Sequence, residues 1–252
     1  MLIRVFPDKA ALSRAASADA AALLRAAISE RGEARVVAAT GTSQIAFLEH
    51  LCEEPGIAWD KVELFHLDEY LSLPADHPAS FRRFLNDRLV SRVGIQRVHF
   101  LDGAADPLAV VCQTGAAISG GPIDVAFAGI GENAHLAFND PPADFETEAP
   151  FLVVELDEAC RRQQVSEGWF ESIDDVPKRA ITMSVRQILK AKTVLCLASG
   201  LRKATAVAAS FGQGSVSPVV PASMLRQHAG TTVYLDPDAA SGLTEADVRR
   251  WA

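Results

Sequence analysis

The sequence predicts an α/β fold, an open, mostly parallel, doubly wound sheet with helices on both faces. Three observations predict it. Strand and helix patterns alternate from end to end of the 252 residues. Several strand segments are apolar throughout, as strands covered on both faces are. Strand after strand ends in a polar loop containing Gly or Asp, where such sheets bind ligands. No repeat, low-complexity tract or linker breaks the alternation, so residues 1–252 read as a single domain.

The elements follow in order. Residues 8–31 are Ala-rich, carry Leu12, Leu23, Leu24 and Ile28, and predict a helix. Residues 35–39 predict a short buried strand, and 43–54 resume a helical period through Ile45, Leu48 and Leu51. Residues 62–67 form the next strand, followed by a polar loop through Pro74 and His77. Residues 79–93 place Phe81, Phe84, Leu85, Leu89 and Val93 on one helical stripe. Strands are expected at 98–101 and 123–128, around a helix near 106–118. Later strands are expected at 151–156, 180–184, 193–198 and 232–236, with helices near 201–211 and 221–228.

Composition narrows the function. Hydrophobic residues make up 49% and charged residues 22%, which is globular usage. A net charge of -8 argues against nucleic acid or an anionic membrane as partner. No apolar run approaches the roughly 20 residues of a membrane span, and the N-terminus lacks the pattern of a signal peptide. Cys52, Cys112, Cys160 and Cys196 are far apart with no zinc or redox spacing, which predicts reduced thiols in a cytoplasmic protein. His66, Asp68, His77, His135 and Asp140 carry ligand atoms, but none of the His residues has His-x-x-x-His spacing. No metal or organic cofactor is expected.

Four strand ends carry the chemistry. Thr40-Gly41-Thr42-Ser43 joins a buried strand to a helix; its Thr and Ser are candidate helix caps, and free N–H groups there favour an anion. Asp68 and Glu69 follow an apolar strand. Both cannot enter its core, so one is expected to face a site and the other to pair or be solvated. A carboxylate in a partly desolvated cleft suits a general base. Gly129-Ile130-Gly131-Glu132-Asn133-Ala134 satisfies the loose dinucleotide fingerprint, yet Pro141 and Pro142 interrupt the helix that fingerprint should open. The richer feature of this loop is Asn133, His135 and Asp140 together. Finally, Ser199-Gly200 ends a strand, and Lys203 stands in the first turn of the next helix. A cation is unfavourable there unless it serves an anionic ligand.

Together these segments resemble the glucosamine-6-phosphate deaminase/isomerase family, which shares its fold with 6-phosphogluconolactonase. The resemblance rests on Phe65–Tyr70 with Leu73–Phe81, on Ile123–Gly131 with His135–Asn139, on Thr40–Ser43, on Val176–Thr182, and on Lys203-Ala204. It runs from about residue 35 to 235. It implies a cofactor-free enzyme, placed in the hydrolase class, that converts glucosamine 6-phosphate to fructose 6-phosphate and ammonia. It implies Asp68 as the base moving a proton between C2 and C1, and His135 as the group assisting ring opening. Asp140 stands where the family has Glu. Thr40, Gly41, Thr42, Ser43 and Lys203 match phosphate-holding groups, and Arg162 is the candidate for the phosphate-binding Arg. The partner implied is a small sugar phosphate, and a homo-oligomer is compatible.

The chain departs from the family pattern at Asn133-Ala134, where the family has Asp-Gly. Asn133 cannot ionise, and Ala134 offers no easy positive φ. With one ionisable His partner instead of two, ring opening is expected to limit, and Asn133→Asp to raise turnover. A lactonase-like hydrolase and a non-catalytic sugar-phosphate binder are the alternatives.

Overall fold

The computed structural model describes residues 1–251. Its centre is a seven-stranded sheet in the order β1-β10-β9-β6-β2-β3-β5, with every neighbouring pair parallel. These strands are β1 (Leu2–Val5), β2 (Ala34–Ala38), β3 (Val62–His66), β5 (Arg97–His99), β6 (Val125–Gly129), β9 (Thr193–Ala198) and β10 (Thr231–Leu235). β4 (Asp68–Tyr70), β7 (Phe151–Glu155) and β8 (Arg179–Met183) form a separate antiparallel sheet in the order β4-β8-β7.

The central strands are apolar throughout because both faces are covered. On β6, Ala126 and Ala128 pack with Val37, Phe65, Val194 and Cys196 on one face. Val125 and Phe127 pack with Val36, Leu64, Leu195 and Leu197 on the other. This is the period-2 alternation of a strand.

Helix α1 (Lys9–Arg31) covers the second face through Leu12, Ala16, Ala20, Leu24 and Ala27. Its ends are set locally. The Asp8 carboxylate accepts the Ala11 N–H at 2.7 Å, and Gly32 takes the left-handed φ of +79° that closes the last turn. Further helices are α2 (Ile45–Glu53), α3 (Phe81–Leu85), α4 (Ser91–Val93), α5 (Pro107–Ile118) and α6 (Glu158–Ser166). Then come α7 (Val185–Ile188), α8 (Ala204–Phe211), α9 (Pro237–Ala240) and α10 (Glu245–Arg250).

Four expectations are corrected. The segments at 151–156 and 180–184 do form strands, but in the antiparallel sheet rather than the parallel one. Asp68–Tyr70 is strand, not loop, because its backbone pairs with β8, Asp68 opposite Thr182. The helical stripe at 79–93 is interrupted by a π-helical turn over Asn86–Val90. Residues 221–228 wind as a 3-10 turn over Pro221–Gln227 instead of an α-helix. The edge strand β1 and the helices α6, α7, α9 and α10 were not expected from the sequence. No helix among the described residues is long and apolar enough to cross a membrane.

Candidate active site

The strand order reverses between β2 and β6: β3 and β5 lie beyond β2, while β9 and β10 lie beyond β6. At such a reversal the loops leave in opposite directions and open a crevice above the carboxyl ends. A cleft of about 590 Å3, open to solvent, lies there and draws on all four strand ends: Thr40–Ser43, Asp68, Gly129–Gly131 with His135, and Lys203.

The first strand end is a turn in which Gly41 has φ +101°, a conformation that favours glycine. The Thr and Ser side chains do not cap α2, contrary to expectation. Gln44 precedes the helix, no side chain caps it, and the buried Gln44 amide donates to Ala128 O at 3.0 Å. The turn is thereby tied to β6, and the N–H groups at the start of α2 have no side-chain acceptor.

The paired carboxylates divide as chemistry requires. Glu69 accepts hydrogen bonds from the N–H groups of Tyr70 (2.9 Å), Phe81 (3.2 Å) and Arg82 (2.8 Å), and from Ser80 Oγ (2.9 Å). It anchors the start of α3. Asp68, 5% exposed, lines the cleft, and its buried Oδ1 has no hydrogen-bond partner among the described residues. Burial, reinforced by the neighbouring Glu69 charge, raises the Asp68 carboxyl well above the usual 3.8.

The His loop is built for one ring orientation. His135 Nδ1 lies 3.0 Å from Asp140 Oδ1, so the carboxylate holds the ring and Nε2 turns toward Gly131. A Cβ at Gly131 would come within 2.2 Å of that Nε2, so the site requires glycine there. Asn139 donates to Leu136 O (2.7 Å) and Met183 O (2.8 Å), fastening the loop to the antiparallel sheet. Ala134 adopts φ +68° and Ala137 φ +51°, so the positive φ that alanine does not take easily is taken here all the same. The Gly131 N–H to His135 O (3.0 Å) and Ala134 N–H to Gly131 O (3.0 Å) bonds close a turn tight enough to impose that strained backbone.

Asn133 and Asp140 stand behind His135 rather than in the cleft. Asn133 Nδ2 donates both to Asp140 Oδ1 (3.0 Å) and to Asp157 Oδ2 (3.1 Å), and its Oδ1 accepts the His135 N–H (3.1 Å). The amide is therefore a bridge between two carboxylates, a place an aspartate could not fill without repulsion. This geometry reverses the expectation for Asn133→Asp. Burial pushes the Asp140 carboxyl up, but bonds from His135, Asn133 and the Asp157 N–H leave it below 3.8 overall.

Lys203 reaches the cleft from a 3-10 turn after Gly200, whose N–H is fixed at 3.0 Å by both Asp236 oxygens. Its side chain is 9% exposed. Burial lowers its pKa, against opposing pulls from Glu167 and Glu132.

Arg162 is not brought to this cleft. It lies on the exposed face of α6, 68% accessible, and pairs with Glu158 one turn back. The adjacent Arg161 is spent on Ile173 O. A helix presents successive residues about 100° apart, and α6 turns Gln163, Gln164 and the following Glu167 to the cleft instead. Sequence reading missed these three. The available signal was Asp157 as N-cap, Gly168 at φ +81° past the end, and Gln163–Glu167 at i,i+4 between them.

The metal-type groups separate as well. His66 is fully buried beneath the cleft, its pKa lowered to about 3 by burial, and His77 stacks on Phe170. His135 and Asp140 do converge with Cys160, within 4.8 Å. Burial and the nearby Asp140 and Asp157 charges push that thiol well above its usual range, so it stays protonated.

Comparison with known proteins matches residues 7–234 to the family described as glucosamine-6-phosphate isomerases/6-phosphogluconolactonase. The chain belongs to this family. It is 36% identical over 232 residues to a glucosamine-6-phosphate deaminase of Geobacillus sp. (strain WCH70), covering 89% of this chain and 90% of the relative. A solved structure described as a monomeric glucosamine-6-phosphate deaminase superposes with a TM-score of 0.88 at 31% identity, covering 96% of this chain and all of that one. The 6-phosphogluconolactonase of Trypanosoma brucei superposes at 0.78 with 20% identity, over 96% of this chain and 98% of its own, which is a likeness of fold.

Proposed function

We propose that this family member converts glucosamine 6-phosphate to fructose 6-phosphate and ammonia. The observation that carries the reading is Asp68. It is a buried carboxylate with an unpartnered oxygen, in the same cleft as a carboxylate-held His135, a cation and a Gly turn.

The residues divide the work as follows. His135, oriented by Asp140, carries the proton of the C1 hydroxyl to the ring oxygen as the hemiacetal opens. Asp68 removes the C2 proton of the open aldehyde as O1 gains a proton, giving the enolamine; it then returns the C2 proton to C1 while the amine gives up one proton, leaving the 2-imine. Water then adds to the imine carbon and ammonia leaves, giving the ketose. Burial raises the proton affinity of Asp68, which suits it to hold the proton between the two carbons. The Thr40–Ser43 turn and Lys203 hold the phosphate, whose binding energy keeps the reacting carbons in register. The hydrolase class expected from the sequence fits the lactonase branch and not a deaminase/isomerase. We further read residues 1–252 as one domain. The four unpaired cysteines support a reducing, cytoplasmic setting.

The test is a panel of sugar phosphates with purified protein, following ammonia, ketose and lactone hydrolysis. Stoichiometric ammonia and ketose from glucosamine 6-phosphate is expected. Lactone hydrolysis without ammonia release would replace this reading with the lactonase one.

A further inference from the structure

The phosphate end of the cleft holds an unexpected carboxylate. Among the lining residues of the described chain, Lys203 is the one Lys or Arg. Glu167 lines the same wall, and its Oε1 stands 3.7 Å from Lys203 Nζ. The two side chains are 7% and 9% exposed, so solvent screens the pair weakly. At 3.7 Å the Lys203–Glu167 pair is longer than a hydrogen bond, so the ammonium donors can still turn to a ligand.

Glu167 is held firmly in an unfavourable place. It follows the last residue of α6, where the helix dipole opposes a negative charge. Its N–H bonds to Gln163 O (2.9 Å), and Gly168 in the left-handed conformation turns the chain away. Gln163 Nε2 donates to Oε1 at 2.7 Å and Trp169 Nε1 to Oε2 at 3.3 Å. Gln163 Oε1 in turn accepts the Glu132 N–H at 2.8 Å, linking Glu167 to the His loop. Two neutral donors and a lysine therefore aim this carboxylate at the anion end of the cleft, while Arg161 and Arg162 face elsewhere.

We infer that Glu167 is a specificity-determining residue that competes with a phosphate dianion for Lys203. The inference rests on the proposed sugar-phosphate reading and refines it. A bare phosphate meets a net charge near zero at this wall and gains little. A phosphorylated sugar binds because the contacts of its sugar carbons to the rest of the cleft add to the same weak anchor. The cleft thus discriminates against free phosphate and small anions in favour of the whole phosphate monoester.

The experiment measures inorganic phosphate binding by calorimetry, and KM and kcat on glucosamine 6-phosphate, for wild type, Glu167→Gln, Glu167→Ala and Glu132→Gln. Thermal unfolding verifies that each variant is folded. Both Glu167 variants should bind inorganic phosphate at least about tenfold tighter, since an anion a few ångströms away is removed from a poorly solvated site. KM should fall more than kcat changes. Glu132→Gln removes the same charge from a more exposed rim and should have a smaller effect. Glu167→Ala separates charge from packing, because it also discards the Gln163 and Trp169 bonds. Unchanged or weaker phosphate binding in the folded Glu167 variants overturns the inference. Tighter phosphate binding in them, with no ammonia release by the wild type, upholds the Glu167 assignment and removes the deaminase reading.

Discussion

Replacing Asp68 by Asn keeps the shape of the side chain and removes its charge, and the structure predicts opposite effects on turnover and stability. Asp68 is 5% exposed and its Oδ1 has no partner, so the ionised form is poorly solvated. Burial, then Glu69, raise its pKa well above 3.8. For an acid whose folded value is raised, the native contribution is greatest while the group is protonated and is lost as pH rises through the folded value. At neutral pH, above the usual 3.8, the buried Asp68 therefore costs the wild type stability that it does not cost in acid. Asp68→Asn removes that cost and should raise Tm, by about 2–4 °C for each kcal/mol relieved in a chain of this size. Turnover should fall by about 10²–10⁴-fold, the usual contribution of a general base. The wild-type kcat/KM should also lose activity on acidification through a limb above the ordinary carboxylate range, because only ionised Asp68 accepts the C2 proton. Calorimetric melts at several pH values and ammonia release at matched conditions measure all three. Turnover within a fewfold of wild type would refute the assignment of Asp68. A Tm that falls at neutral pH would refute the argument from desolvation.

Three further outcomes follow from the His loop. Asp140→Asn should lower turnover by roughly 10²-fold, since an amide neither favours imidazolium nor fixes the ring strongly. Asp140, with a lowered pKa, contributes stability present above its usual 3.8 and lost as pH falls through the lower folded value, so melts at neutral pH should show the variant less stable. Asn133→Asp should destabilise by about 1–3 kcal/mol, because it replaces the shared donor to Asp140 and Asp157 with a third carboxylate; denaturant unfolding checks this, and higher turnover with no loss of stability would refute it. Gly131→Ala should displace the His135 ring and cost roughly 10²-fold in kcat, with a substrate-free melt little changed.

The parallel sheet was legible because fully covered strands read as unbroken apolar runs, and Val36, Leu64, Phe127 and Leu195 sit in such runs. The four strand ends were legible for the same reason: an apolar run that stops at Thr40, Asp68, Gly129 or Ser199 marks where the backbone leaves the core. The residue types at those ends, together with their resemblance to a family, pointed to Asp68, His135 and Lys203 as one site. Tertiary structure decided the rest. Strand β4 exists only because residues far along the chain, Arg179–Met183, supply its pairing partner. Which of Asp68 and Glu69 faces the cleft depends on the N–H groups of Phe81 and Arg82, brought back by the fold. The role of Asn133 depends on Asp157, 24 residues away, and its sequence neighbours do not reveal that bridge. Arg162 and Glu167 lie five positions apart on or beside one short helix, and its rotation against the sheet points one to solvent and the other to Lys203. Sequence patterns report burial and local conformation, whereas the facing of a particular charge is set by packing between distant segments.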